Sequence, residues 1–327
     1  MSEFNPWHGL EFDEARRVDK RGRQDFFWAV VENDDVALAL ALPDGTERVL
    51  PLPKIKSLDI GYRKLGARDA LLVALRDPEQ VDLFANLCMD IVSAGEQGET
   101  PSDALDRTVR RTLRWHHLLR GGSSERLSVE EQRGLVGELQ VLHLLCAEIG
   151  AEAAIEAWRG PEDGAKDFEL HGMCIEVKAR RGAARPQVQI SSADQLADVA
   201  GADVILLVHD VDAAIKPEGM TLSDHIQVVE DIFQSTTLAA YGTWERLLAA
   251  AGFDWAHDYS DRRWTVGKRT AFRVEDGFPR IPSPVPMGVL NVKYAIALDA
   301  CTAFMVEDDQ LLTKIAKTQS STDTEGM

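Results

Sequence analysis

Long apolar runs are absent from this chain. Nothing in its 327 residues approaches the ~18 consecutive apolar positions of a membrane span, and the opening MSEFNPWHGLEFDEARR holds no signal-peptide core. The expectation is a cytoplasmic protein with no membrane partner. Cysteine is scarce. Cys88, Cys146, Cys174 and Cys301 lie far apart without a C-x-x-C pair, and three of them sit in apolar runs, as buried thiols of a reducing cytosol do. There is no internal repeat, and no Walker-type or dinucleotide-binding glycine motif. Positive charge is in deficit, with 36 Lys and Arg against 54 Asp and Glu and a net charge of −18. Such a chain does not coat nucleic acid with its whole surface. Polyanion binding would rest on a few clustered Arg and Lys, and so would depend on salt.

What remains is a composition of 45% hydrophobic and 28% charged residues, that of a soluble globular protein long enough for two domains. Residues 1–98 read as a β-rich accessory domain. Strands are predicted over 25–31, 35–42, 47–52 and 70–75, then a helix over 77–93 with Val81, Phe84, Leu87 and Ile91 at helical spacing. Residues 99–306 read as a larger α/β domain, with a core at about 127–210 and further helices and strands over 211–306. Residues 307–327 read as a polar tail that frays. The larger domain opens on a helix over 101–120 that carries Arg107, Arg110, Arg111 and Arg114 along one side. Charged stripes ordinarily face water, yet in so acidic a chain Arg110 and Arg114 are candidates for phosphate contact.

The next helix is signalled by a capping box, Ser128-Val129-Glu130-Glu131, and by the seam Leu135, Leu139, Leu142, Cys146, Ile149. Glu138 sits at the border of that seam. Gly134 and Gly137 flank it at a cost in helix stability, which suggests that another backbone passes close. Then comes GPEDGAKDFELHGMCIEVK, residues 160–178. Two strands, 167–170 and 173–179, meet at a His171-Gly172 turn. Side chains alternate along a strand, so Glu176 and Lys178 share one face while Ile175 and Val177 take the other. Asp167, Glu176 and Lys178 can thus meet at one point, a costly cluster unless a cation and a reaction use it. Two hard carboxylates suit Mg²⁺, and Lys178 can hold the attacking water or the scissile phosphate, with Glu138 as a third acid. A basic loop with Arg180, Arg181 and Arg185 follows. Beyond it are a strand over 187–191, a helix to about Gly201 and an apolar strand over 203–210. Helices are expected over 222–233 and 238–251. A strand over 263–274 is expected to turn at Lys268-Arg269, and a last strand or pair falls over 288–300.

Gly137-Glu138, Asp167, Glu176-Val177-Lys178 and Gln189, in αβββαβ order, resemble the PD-(D/E)XK nuclease superfamily. More closely they resemble a family of bacterial PD-(D/E)XK motif proteins of restriction and phage-defence gene clusters. The likeness runs from Leu127 to about His209 through LVGELQVL, GAKDFELHGMCIEVKAR and QISSADQL, and more loosely through GFPRIP and VLNVKYAIAL. It implies an α+β fold with a restriction-endonuclease-like core and a mixed central sheet over 99–306. It implies Asp167 and Glu176 as ligands of Mg²⁺ or Mn²⁺, Glu138 and Val177 as further metal-binding positions, and Lys178 as the catalytic lysine. Gln189 matches a supporting strand glutamine. Lys166 stands in place of the proline that gives the superfamily its name, and with Arg180, Arg181 and Arg185 it is a candidate for contact with nucleic acid. The activity implied is Mg²⁺-dependent DNA endonuclease, with DNA and other subunits of a defence system as partners. The alternative is a non-catalytic member of the same fold that serves as a DNA-binding or assembly subunit. Target and oligomeric state stay open.

Overall fold

The computed structural model describes residues 5–31, 35–50, 52, 57–119, 125–162, 164–215, 218–255, 257–283 and 285–320. The chain divides into two compact units, residues 1–122 and 123–327.

The first unit contains β1 (Ala15–Arg17), β2 (Phe26–Val30), β3 (Val36–Leu42), β4 (Leu58–Leu65), β5 (Arg68–Leu75), α1 (Val81–Glu96) and α2 (Pro101–Leu119). Its strands form one antiparallel sheet in the order β1-β2-β3-β5-β4. Central β3 alternates Ala and Leu and is buried on both faces. At Gly95 of α1 an added Cβ would stand 2.5 Å from the Phe26 ring and 2.8 Å from Thr108 Oγ1 of α2. Only glycine lets sheet and helix pair close there. The run expected over 47–52 is not a strand among its described residues, and Pro51 lies outside them. The strand is β4, an edge whose Gly61, Arg63 and Lys64 hide its alternation.

α2 belongs to this first unit, not to the second as the sequence suggests. Ala104, Leu105 and Val109 are buried, and α2 packs along α1. Its arginine stripe is paired: Arg107 with Asp103 at 2.9 Å, Arg110 with Asp106 at 2.6 Å, and Arg111 with Asp90 at 3.6 Å.

The second unit contains α3 (Val129–Ile149), α4 (Ala151–Ala157), β6 (Phe168–Leu170), β7 (Met173–Arg180), β8 (Gln187–Ile190), β9 (Asp203–Ala214), α5 (Leu222–Phe233), α6 (Leu238–Ala250), β10 (Arg263–Val274), β11 (Tyr294–Ala297), β12 (Met305–Val306) and α7 (Asp308–Ser320). The capping box at Ser128 and Glu131 is formed. The main sheet runs β12-β10-β9-β7-β6, and it is mixed because β7 and β9 are parallel while the other pairs are antiparallel. α3 lies on one face. At Gly137 an added Cβ would meet Ala179 Cβ at 3.0 Å, so the glycine admits β7 against the helix, whereas Gly134 has open space. The other face carries a core of Val204, Leu206, Val208, Phe272 and Val274, closed by Val188, Ile190, Leu196 and Ile296.

The expected αβββαβ order is kept along the chain except at its second helix. β8 leaves the main sheet and pairs with β11, and the helix expected after it is one 3-10 turn, Ala193–Leu196. The turn at Lys268-Arg269 is instead a bulge within a continuous β10. Asp308–Ser320 is helical rather than part of a fraying tail, and residues 321–327 of that expected tail lie outside the described residues. Leu311 and Ile315, four apart, are fully buried in α7, and acidic Asp308 and Asp309 open it as the helix dipole favours.

Candidate active site

The site forms where β6 gives out. Its last pair with β7 is Phe168↔Ile175. Beyond that pair, Asp167 Oδ2 accepts the Val177 N–H at 2.7 Å, a side-chain oxygen standing in for a strand carbonyl. The Asp167 carbonyl accepts from the backbone N–H groups of Arg159 (2.8 Å) and Gly160 (3.0 Å). Asp167 is therefore fixed from both edges.

α3 brings the second acid. Glu138 Oε2 accepts the indole N–H of buried Trp158 at 2.8 Å. Glu138 Oε2 and Asp167 Oδ1 each lie 2.9 Å from the place a Cβ on Gly160 would occupy, so the two carboxylates meet over a bare glycine. Glu176, only 1% exposed, enters from β7. Lys178 Nζ lies 2.7 Å from its Oε1. The Lys178 ammonium is the cation paired with that buried oxygen. The ammonium also donates to Gln195 Oε1 at 3.2 Å.

Burial and mutual repulsion dominate the electrostatics. Desolvation, then the Asp167 charge, pushes Glu138 up to about 8, although the Trp158 bond pulls the other way. Desolvation and Asp167 likewise push Glu176 up to about 8 against the pull of Lys178. Burial raises Asp167 too, opposed by the Val177 N–H. The three carboxylates titrate as a coupled cluster, raised first by burial and then by their mutual repulsion, which Lys178 only partly offsets.

The sequence matches, over residues 4–299, the family described as "Putative PD-(D/E)XK family member, (DUF4420)". The chain belongs to this family. No curated protein matches it, and neither does any solved structure. The DUF4420 assignment and the mixed sheet agree on a nuclease-like α+β fold.

PD-(D/E)XK nucleases generally use divalent metals, so the fit of such an ion to this DUF4420 member can be tested on its residues. Among the described residues, no group of three or more His, Cys, Asp and Glu side chains is placed to hold a metal. Glu176, ion-paired with Lys178, and its neighbour Asp167 form a two-carboxylate donor set of hard oxygens. That set suits Mg²⁺, which keeps several waters and takes one or two carboxylates.

The structure brings Glu138, Asp167, Glu176, Val177 and Lys178 together. Gln189 is elsewhere, exposed on β8 opposite Ala295, and the glutamine that reaches Lys178 is Gln195. Lys166 is not a surface cation. It is 2% exposed, and its ammonium bonds the Asp194 carbonyl, with burial lowering its pKa. Arg180 is a loop staple bound to Asp210 and to the carbonyls of Gly182 (3.2 Å) and Ala184 (2.8 Å). Arg181 and Arg185 are exposed on that loop. Arg110 is buried against Asp106, and it and Arg114 lie on α2 of the first unit. Sequence reading missed Trp158, Gly160 and Gln195. Only the glycine beside a proline at Gly160-Pro161 gave a local signal, that of a turn.

Proposed function

We propose that this protein is a metal-dependent DNA endonuclease that hydrolyses phosphodiester bonds. It works in the cytoplasm with other subunits of a restriction or phage-defence system. The observation that carries this reading is the convergence of buried Glu138, Asp167 and Glu176 beside Lys178, with a repulsion among the acids that the lysine only partly offsets. A divalent cation at Asp167 and Glu176, Mg²⁺ or Mn²⁺, supplies charge neutralisation at a phosphoryl oxygen and a water made more acidic. Asp167, pinned by the Val177 N–H, and Glu176 present the oxygens that hold it. Glu138, steadied by Trp158, adds negative charge on the helix side and takes up a proton from the attacking water. Lys178 holds the scissile phosphate through an ammonium donor and steadies charge as it grows there. Arg181 and Arg185, exposed on the loop after β7, contact the DNA backbone.

The test is cleavage of supercoiled plasmid with Mg²⁺ or Mn²⁺ by the wild type and by Asp167→Ala, Glu176→Ala and Lys178→Ala. The expected result is nicking or linearisation by the wild type and a drop of at least 100-fold in each variant with folding retained. Cleavage by Lys178→Ala at the wild-type rate would overturn the mechanism. A wild type that binds DNA without cutting it would favour the non-catalytic subunit.

A further inference from the structure

One short turn receives cations from three directions. The 3-10 turn Ala193–Leu196 accepts Lys166 at the Asp194 carbonyl, Lys178 at Gln195 Oε1 and Arg280 at the Leu196 carbonyl. Arg280 also grips Asp198 through both carboxylate oxygens at 2.7 and 2.8 Å, and Ser283 donates to Asp194 Oδ1 at 2.9 Å. Leu196 is fully buried in the layer that covers Val204, Leu206 and Val208. So fastened, the turn is a rigid element standing over the face of β7 that carries Glu176 and Lys178.

Gln195 is the part of that turn which touches the lysine. Its Oε1 accepts the Ser191 N–H at 2.8 Å and lies 3.2 Å from the Ser191 hydroxyl and 3.2 Å from Lys178 Nζ. A backbone N–H and an ammonium can only donate, so the group between them must be the carboxamide oxygen. The ammonium has three N–H donors. One side faces Glu176 Oε1 at 2.7 Å and another meets Gln195, and no other described protein group bonds it. A free lysine side chain samples many rotamers, and two fixed contacts remove much of that freedom and aim the remaining N–H.

We propose that the turn Ala193–Leu196 is a positioning device for Lys178, with Gln195 aiming the ammonium and Lys166 anchoring the turn from the segment that bears Asp167. This deepens the nuclease reading and rests on it. It also accounts for Lys166 in the place of a proline, which has no ammonium to offer the Asp194 carbonyl. Gln195 acts through the lysine and does not itself touch the phosphate.

The test uses the full chain with Gln195→Met, which keeps length and removes the acceptor, and Gln195→Glu, which restores an oxygen. Plasmid cleavage with Mn²⁺ should fall about 10- to 100-fold in Gln195→Met, the scale of a displaced catalytic group. Mn²⁺ affinity, DNA affinity and melting temperature should hold, and Gln195→Glu should recover most of the rate. Unchanged cleavage by Gln195→Met, or no recovery with Glu, overturns the proposal. A second readout does not need turnover: labelling of Lys178 by an amine-reactive acetylating reagent, followed by mass spectrometry. It should be several-fold faster in Gln195→Met than in the wild type, and equal rates overturn the proposal. Should the wild type bind Mn²⁺ and cut nothing, the nuclease reading fails while the labelling comparison still decides the positioning role.

Discussion

The indole N–H of Trp158 donates to Glu138 Oε2 at 2.8 Å, and that bond is the fixed point of the acid that α3 contributes. The ring itself is held in a stack between Phe168 and Trp244, at centroid distances of 6.5 and 6.0 Å. Trp158→Phe keeps an aromatic face in the stack and removes the donor. A hydrogen bond to a charged group is worth ~1.5–3 kcal/mol, and removing it leaves a buried oxygen unsatisfied. Because the bond favours the ionised form, Glu138 should hold its proton more tightly in the variant. Calorimetry at pH 7.5 should therefore show Mn²⁺ affinity down by about tenfold, with melting lowered by a few degrees. Unaltered Mn²⁺ affinity would mean that Glu138 takes no part in binding the ion.

The raised carboxylates give the cation-free protein a pH dependence of definite sign. Glu176 titrates near 4.5 when unfolded and near 8 when folded. Below about pH 4.5 it is protonated in both states. Between 4.5 and 8 the folded state keeps a proton that the unfolded chain has released, so stability falls as pH rises, by up to ~1.4 kcal/mol per pH unit for one such group. Above 8 the decline is complete. Urea midpoints in EDTA should drop from pH 5.5 to 8.5, and Glu176→Gln should flatten the curve. Added Mg²⁺ or Mn²⁺ at pH 8.5 should restore stability, because positive charge offsets the repulsion among the acids. A wild-type midpoint that stays level over that range contradicts the cluster.

The meeting of Asp167, Glu176 and Lys178 was legible because Asp167 directly precedes β6 and the other two share a face of β7 across one turn, where a period of two fixes their side. Glu138 was legible from its place beside Gly137, which does admit β7. Trp158, Gly160 and Gln195 were not, because they sit in turns and strand ends that fold back on the site with no periodic pattern to reveal them. Lys166 read as a candidate for contact with nucleic acid because its acceptor, the Asp194 carbonyl, is 28 residues away. α7 was masked by a polar composition in which only Leu311 and Ile315 mark the buried side. Short-range patterns found the strands of the site; the groups that orient its side chains come from distant turns.

Gly160 leaves the site no room for a side chain. A methyl group there would stand 2.9 Å from Glu138 Oε2 and 2.9 Å from Asp167 Oδ1, closer than a Cβ comes to any neighbour. Carboxylate ends usually swing away at little cost. Here one is tied to Trp158 and the other to the Val177 N–H, so relief means breaking one of those bonds. Gly160→Ala should keep its circular dichroism and bind Mn²⁺ at least tenfold more weakly. Wild-type affinity in this variant would show that the two acids have room to part without consequence for the ion.

The basic loop after β7 divides by exposure into parts with different expected phenotypes. Arg180 is engaged with Asp210 and with the carbonyls of Gly182, Ala184 and Arg185, so its guanidinium shapes the loop. Arg181 and Arg185 are exposed. Removing one cation from a DNA phosphate lowers the slope of log affinity against log salt by about 0.9. Arg181→Ala with Arg185→Ala should therefore weaken binding to duplex DNA at low salt and flatten the salt slope by about 2, with no change in melting temperature. Arg180→Ala should lower melting, since it leaves Asp210 and three carbonyls without their partner, and should alter DNA binding only through the loop. Arg110→Ala, on α2, removes the partner of Asp106 and should cost stability of the first unit with an unaltered salt slope. Filter binding from low to moderate salt separates these cases. An unchanged slope in the Arg181 and Arg185 double variant would place the DNA backbone away from this loop.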